Sequence, residues 1–212
     1  MTTAITKERF VRLDDLLIEA ESPREGSSKR LFTFDKSLES INSRGFQRHL
    51  RSYEAFRILI DAIENPNSRY KSIKEDMLFL FGEWFSLAMI LNKNKLTTYI
   101  DPSNLVYKDD EYLVRGPKLE HSGEKTFTIP KGYEAGGFIP LGELPRNLVI
   151  DLYSRTASRL PEEIRSNAGL YVPREGVLGP CGRGDNFGIF DVVGGICFNG
   201  ASRGVRVARV NK

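Results

Sequence analysis

The sequence contains few residues that could form a metal site or a disulfide. Its 212 residues include two cysteines, Cys181 and Cys197, and two histidines, His49 and His121, which lie far from the cysteines. This spacing does not match a zinc site, so we expect no metal and no cofactor. A disulfide between the cysteines would close a loop of about fifteen residues and contribute roughly 3 kcal/mol. Two buried free thiols are the alternative, and they are usual in a reducing compartment.

The sequence also lacks a charge excess and a long apolar run. Lys and Arg number 31 against 28 Asp and Glu, and the net charge of +3 does not by itself indicate a polyanionic partner. The longest apolar run, residues 77–91, contains Glu83 and is too short for an ordinary membrane span. The opening residues lack the apolar segment of a secretion signal. We therefore expect a cytoplasmic protein with no membrane partner.

The sequence does contain a change of pattern near residue 92. Before this point, apolar residues recur at helical spacing, which predicts helices over residues 7–21, 46–64 and 72–91. The third segment is apolar nearly all round, so we expect it to be a buried central helix. These three segments predict a helical first half.

After residue 92, short β-branched and aromatic runs alternate with Gly, Pro and Asp. They predict an antiparallel meander over residues 95–130, with a hairpin turn at Asp109-Asp110. A further strand is predicted over residues 147–155. Other strand-like runs separated by glycines continue to the end of the sequence.

Together these patterns predict an α+β fold, in which a helical N-terminal half of about three helices is followed by a mainly antiparallel β C-terminal half. The corresponding regions are residues 1–92 and 93–212. They could form two domains or a single one, because long helices and short strands can share one core.

Three arginines form a first candidate site. On the predicted second helix and the residues leading into it, Arg44, Arg48 and Arg51 would lie on one face, nearly opposite the apolar stripe. Such a stripe could bind the phosphates of a nucleic acid. The alternative is an ordinary solvated face of a surface helix.

The glycine-rich stretch GPCGRGDNFGIFDVVGG, residues 179–195, forms a second candidate site. Its first half predicts an irregular loop and its second half a strand. The Arg-Gly-Asp triplet suits a turn, because glycine supplies the dihedral angles and aspartate binds nearby backbone amides. Polar loops on a rigid scaffold often carry recognition. The predicted ligand-binding or partner-binding residues are Arg183, Asp185, Asn186, Asn199 and Arg203.

Three C-terminal segments resemble a known family. SRLPEEIRSNAG (158–169), DNFGIFDVVGG (185–195) and RGVRVARV (203–210) are similar, in this order, to segments of the formylglycine-generating enzyme superfamily, which has a variant of the C-type lectin fold. The family's tryptophans and paired catalytic cysteines have no matching positions here, so no catalytic residue is carried over. The resemblance implies a glycine-rich, lectin-like β module used for binding.

We therefore expect a non-enzymatic binding protein whose β-rich half presents polar loops to a protein, a small molecule or a carbohydrate. The first alternative is a nucleic-acid-binding or regulatory protein that uses the arginine stripe. The second alternative is an enzyme whose active site is assembled from distant loops. The sequence predicts no oligomeric state.

Overall fold

The fold is taken from a computed structural model of the full chain. It describes residues 10–21, 24–25, 28–29, 32–78, 82–133, 137–183, 190–194 and 207–210.

The strands are distributed along the chain and interspersed with the helices. The strands run as follows: β1 Phe10–Leu13, β2 Leu16–Glu19, β3 Arg24–Glu25, β4 Ser28–Lys29, β5 Arg48–His49, β6 Trp84–Asn92, β7 Lys95–Ile100, β8 Leu105–Lys108, β9 Glu111–Val114, β10 Gly123–Thr128, β11 Gly137–Pro140, β12 Gly169–Val172, β13 Gly179–Arg183, β14 Val192–Val193 and β15 Val207–Val210. The helices are α1 Phe34–Ser43, α2 Ser52–Glu64, α3 Lys71–Leu78, α4 Arg146–Tyr153 and α5 Glu162–Arg165, with 3₁₀ turns at Leu141–Glu143 and Arg155–Arg159.

Within the described part of the chain, seven strands form the main sheet, in the order β10-β7-β6-β13-β14-β12-β11. Its neighbouring strands pair antiparallel except β12 and β14, which are parallel. A second sheet has the order β1-β2-β15-β5. It therefore joins the β1–β2 hairpin to the last described strand.

The prediction of a helical half followed by a β half is wrong, because strands occur throughout the chain. The segment predicted as a buried third helix contains α3 and then β6. Along β6, Phe85, Leu87 and Met89 belong to the largest hydrophobic cluster, whereas Trp84 and Ala88 belong to a separate one. A strand buried on both faces has no apolar–polar alternation, so its sequence resembles that of a buried helix.

Two further helix predictions need correction. Residues 7–21 include the β1–β2 hairpin, whose turn places Asp14 in the left-handed region at φ 50°. The predicted second helix begins later than expected, at Ser52, because Arg48 and His49 pair with β15. Conversely, the strand predicted over residues 147–155 is α4, a helix with Leu148 and Leu152 buried one turn apart.

Other predictions are confirmed. Asp109 and Asp110 form the turn between β8 and β9, both with positive φ, as a two-residue hairpin turn of type I′ requires. The strand-like segments around β7, β10 and β12 are strands. However, β7 pairs directly with β10, so the β8–β9 hairpin is an insertion with its own two-stranded sheet.

Helices α2 and α4 pack together against the main sheet, and this packing positions the cleft described below. Phe56 of α2 stacks on Tyr153 of α4 with ring centroids 4.6 Å apart, and contacts Phe85 of β6 edge-on at 5.7 Å. The opposite side of β6 is covered by α1, where Phe34 meets Trp84 at 5.7 Å. The boundary predicted at residues 92/93 falls at the turn between β6 and β7.

Candidate functional site

The glycine-rich candidate loop begins as a buried strand. Arg183 ends β13 and is only 2% exposed. Its amide donates to the Glu83 carbonyl at 2.8 Å, and its guanidinium donates to the Met77 carbonyl. The prediction of a loop over residues 179–183 is therefore wrong. The pairing with β6 shifts register at Pro180, and such a bulge allows proline and glycine inside a sheet.

The remaining residues of this candidate site, Asp185, Asn186, Asn199 and Arg203, lie outside the described residues, as does Cys197. Their binding role stays a prediction. The buried Arg183 connects β13 to α3 through Met77 and to the start of β6 through Glu83, and its predicted binding role also stays a prediction.

The three arginines of the other candidate site precede α2, and each is paired with a carboxylate. Arg44 binds Glu19 at 2.8 Å, Arg48 binds Glu54 at 2.7 Å, and Arg51 binds Asp101 at 2.7 Å; these acids come from β2, from α2 and from the residue after β7. Each pairing reduces the positive charge offered to a phosphate. Nucleic-acid binding by these residues stays a prediction.

Ser37 and His49 lie in hydrogen-bond contact, and serine with histidine is a combination of residue types that also occurs in nucleophilic catalysis. Ser37 Oγ lies 2.7 Å from His49 Nε2 and donates to the Phe34 carbonyl. Burial, with smaller contributions from Arg44 and Arg48, lowers the pKa of His49 to about 3. Both side chains are fully buried, so no substrate can reach them. We therefore assign this pair to the packing of α1 against β5.

A cleft of about 470 Å³ opens between helices α2 and α4 and the main sheet. It is lined by the start of α2, by β6, β7 and β10, and by the end of α4 with the 3₁₀ turn that follows. Its apolar lining residues are Leu87, Ile100, Ile150 and Leu152. Hydroxyl-bearing residues line the same space: Ser52, Tyr53, Ser86, Thr98 and Ser154.

Two ion pairs belong to this cleft. Lys125 of β10 binds both carboxylate oxygens of Asp151 of α4 at 2.8 Å. Arg51 binds Asp101, which also accepts from Ser122 Oγ at 2.8 Å. The Asp101 interaction raises the pKa of Arg51, and hydrogen bonds from Arg51 and Ser122 outweigh burial and lower the pKa of Asp101. The Arg51–Asp101 pair therefore remains ionised near neutral pH.

Arg155 differs from these two cations. It is exposed, and its guanidinium has no ion-pair or hydrogen-bond partner among the residues that the structure describes. It follows Ser154, which separates α4 from the 3₁₀ turn. The cleft therefore has, beside its apolar surface, a cation that no described residue pairs with.

Ser154 has an unusual backbone conformation, with φ 67° and ψ 177°. This region of dihedral space is populated almost only by glycine, and a non-glycine residue there costs on the order of 1–3 kcal/mol. Such strain persists where the surrounding structure imposes it, and it occurs often at ligand-binding sites.

Two further depressions adjoin the cleft. One shares Lys125, Ile150 and Asp151 with it, and the other shares Ile150, Ser154 and Arg155. Ile150 therefore lines all three spaces, and it is 38% exposed. The concave surface continues along α4 on either side of this residue.

Arg51 is a predicted site residue only as part of the arginine stripe, and no sequence pattern indicates the cleft, because its lining residues are far apart in the chain. One local signal was present. Pro145 precedes a segment with Leu148 and Leu152 four residues apart, which is typical of a helix beginning after a proline.

No family model, curated protein or solved structure matches this chain. The resemblance of the C-terminal segments to the formylglycine-generating enzyme superfamily therefore stays a prediction. Among the described residues, none of the helices has the length and apolar composition to cross a membrane. The same residues contain no group of three or more His, Cys, Asp or Glu side chains that could hold a metal ion.

Proposed function

We propose that this protein binds a small amphipathic molecule in the cleft between α2, the main sheet and α4, without changing it chemically. The observation that carries the proposal is the lining: apolar side chains together with hydroxyl and charged groups around about 470 Å³ of space. Small-molecule sites are usually of this size, mostly apolar, with a few polar groups that orient the ligand.

A binding role is favoured over catalysis because of how the ionisable groups are engaged. Lys125 and Asp151 neutralise each other, as do Arg51 and Asp101. The Ser37–His49 contact is fully buried and away from the cleft lining. This proposal keeps the expected class of non-enzymatic binding protein but moves its site from the glycine-rich loops to the cleft. The cytoplasmic location also remains a proposal, supported by the sequence observations.

The test uses the neutral fluorophore N-phenylnaphthylamine, whose emission rises in apolar surroundings. We expect saturable binding to the parent protein. Ile150→Glu places a charge on the surface shared by the cleft and both depressions, and should weaken binding at least about tenfold, which corresponds to 1.4 kcal/mol. Because Ile150 is partly exposed, this change should leave the fold intact.

Leu113→Glu is the matched control. Leu113 is the other large exposed hydrophobic residue among those described, at 48%, and it lies on β9 outside the cleft lining. It should leave fluorophore binding unchanged. Absence of saturable binding to the parent protein, or equal loss in the two variants, would contradict the proposal.

A further inference from the structure

We infer that the ligand of the cleft carries one anionic group on an apolar chain, and that Arg155 binds this group. The inference rests on the proposed function and adds the chemical class of the ligand. It assigns the apolar chain to the surface formed by Leu87, Ile100 and Leu152, and the anion to the edge where α4 ends.

The first step is the charge of the cleft. Its lining contains three cations, Arg51, Lys125 and Arg155, and one anion, Asp151. Asp101, behind Arg51, is a second anion. Since two cations are each matched by a carboxylate at 2.7 to 2.8 Å, the described residues leave one positive charge, on Arg155. A ligand of charge −1 would neutralise the site.

The second step is the donor chemistry of Arg155. A guanidinium offers a planar fork of N–H donors that matches the two oxygens of a carboxylate. Arg155 lines both the cleft and an adjoining depression. Its side chain is exposed and is not held by any other described residue, so it can turn toward an incoming anion without breaking an existing pair.

The third step is Ser154, the strained residue immediately before Arg155. Its dihedral angles set the direction of the chain between α4 and the 3₁₀ turn, and they therefore fix the position of the Arg155 backbone. A glycine would adopt the same angles without strain but would have no hydroxyl. Ser154 lines the cleft, and a serine hydroxyl can donate a second hydrogen bond to the anion.

A cationic ligand fits less well. The carboxylate that lines the cleft, Asp151, already accepts from Lys125 with both oxygens. A ligand ammonium would have to displace this lysine and would also meet the positive charge of Arg155. The charges therefore select against a cation as well as for an anion.

The experiment measures displacement of N-phenylnaphthylamine by three probes that share one alkyl chain: octanoate, octanol and octylammonium. We expect octanoate to bind the parent protein at least about tenfold more tightly than octanol, as one charge-assisted pair allows. Octylammonium should bind most weakly. High salt should reduce the preference for octanoate, because ions screen the exposed Arg155.

Arg155→Gln should abolish the preference for octanoate and leave octanol affinity unchanged. The matched control is Arg159→Gln, which removes the same charge from the same 3₁₀ turn. Arg159 binds Glu64 outside the cleft lining, so this variant should keep the preference. Thermal unfolding of both variants checks that the fold is retained.

The outcomes separate the two proposals. If the fluorophore and octanol bind but octanoate has no advantage, or Arg159→Gln loses the preference as fully as Arg155→Gln does, the anion assignment is overturned and the binding function stands. Preference for octylammonium overturns the assignment in the same way. If the fluorophore does not bind the parent protein at all, the binding function fails and this inference fails with it.

Discussion

Two buried ionisable groups should give opposite pH dependences of stability. Asp191 is 1% exposed, and burial raises the pKa of its carboxyl from 3.8 to about 7, partly offset by the backbone of Gly169. Neither carboxyl oxygen has a partner with good hydrogen-bond geometry in the described part of the chain. His49 is fully buried, and burial lowers its pKa from 6.5 to about 3.

The signs follow from which state binds more protons. Asp191 binds its proton more tightly when folded, so its contribution to stability is complete below about pH 4 and is lost as the pH rises to about 7. His49 binds its proton more tightly when unfolded, so its contribution is complete above about pH 6.5 and is lost as the pH falls toward 3. Between about pH 4 and 6.5 the two slopes oppose each other.

The magnitude is set by the pKa shifts. One pKa unit corresponds to about 1.4 kcal/mol, so the Asp191 contribution totals about 4 kcal/mol. Asp191→Asn keeps the shape of the side chain but removes the charge. Relative to the parent protein, its free energy of unfolding should rise by about 1.4 kcal/mol per pH unit from pH 4 to 7, and then stay constant.

The assay is urea unfolding at a series of pH values for the parent protein, Asp191→Asn and Asp109→Asn. Asp109 is an exposed carboxylate in the hairpin turn, where asparagine also tolerates positive φ, so this control should follow the parent curve. Parallel curves for Asp191→Asn and the parent would refute the reasoning, because they would mean that Asp191 titrates alike in the folded and unfolded states.

Three further predictions, one of them with a matched control variant, test the structure. Ser154→Gly should stabilise the fold by about 1 kcal/mol, since the strain energy that it removes is larger than the entropic cost of ordering a glycine. A lower melting temperature in thermal unfolding would contradict this. In urea unfolding, Gly169→Ala should destabilise the fold by more than about 3 kcal/mol, because the added Cβ would lie 2.3 Å from a backbone carbonyl oxygen. Gly142→Ala is the control and should be nearly neutral, because no atom lies within 4 Å of the Cβ that it adds. Arg48→Met should lower the free energy of unfolding by about 3–5 kcal/mol, because it leaves Glu54 buried without its ion-pair partner. An unchanged urea midpoint would contradict a stabilising role for this pair.

The elements predicted correctly from sequence are those with strong local signals. The Asp109-Asp110 turn lies between two short β-branched and aromatic runs, and it forms the expected hairpin. The first hairpin has the same signal at Asp14-Asp15, but its leucines also fit helical spacing. The two local signals conflict in this segment, and the helix predicted over residues 7–21 is wrong because the chain turns at Asp14-Asp15 to form the β1–β2 hairpin.

The elements predicted wrongly are those whose tertiary surroundings decide the outcome. Residues 84–92 are apolar because α1 covers one face of β6 and α2 covers the other, which no local pattern reveals. Similarly, β5 ends before α2 because β15, more than 150 residues later, pairs with it. Pairing between strands so distant in sequence produces no periodic pattern in either segment.

The cleft could not be predicted from the sequence, since its residues come from α2, three strands and α4 and have no motif spacing among them. An exposed arginine without an ion-pair partner is by itself unremarkable, because surface ion pairs contribute little to stability. Arg155 carries more weight because of its position. It borders a largely apolar cleft whose other charges are balanced. It also follows Ser154, whose backbone conformation is one that residues other than glycine rarely adopt. Natural proteins tend to break local rules where function requires it, so this junction is where a ligand contact is best sought.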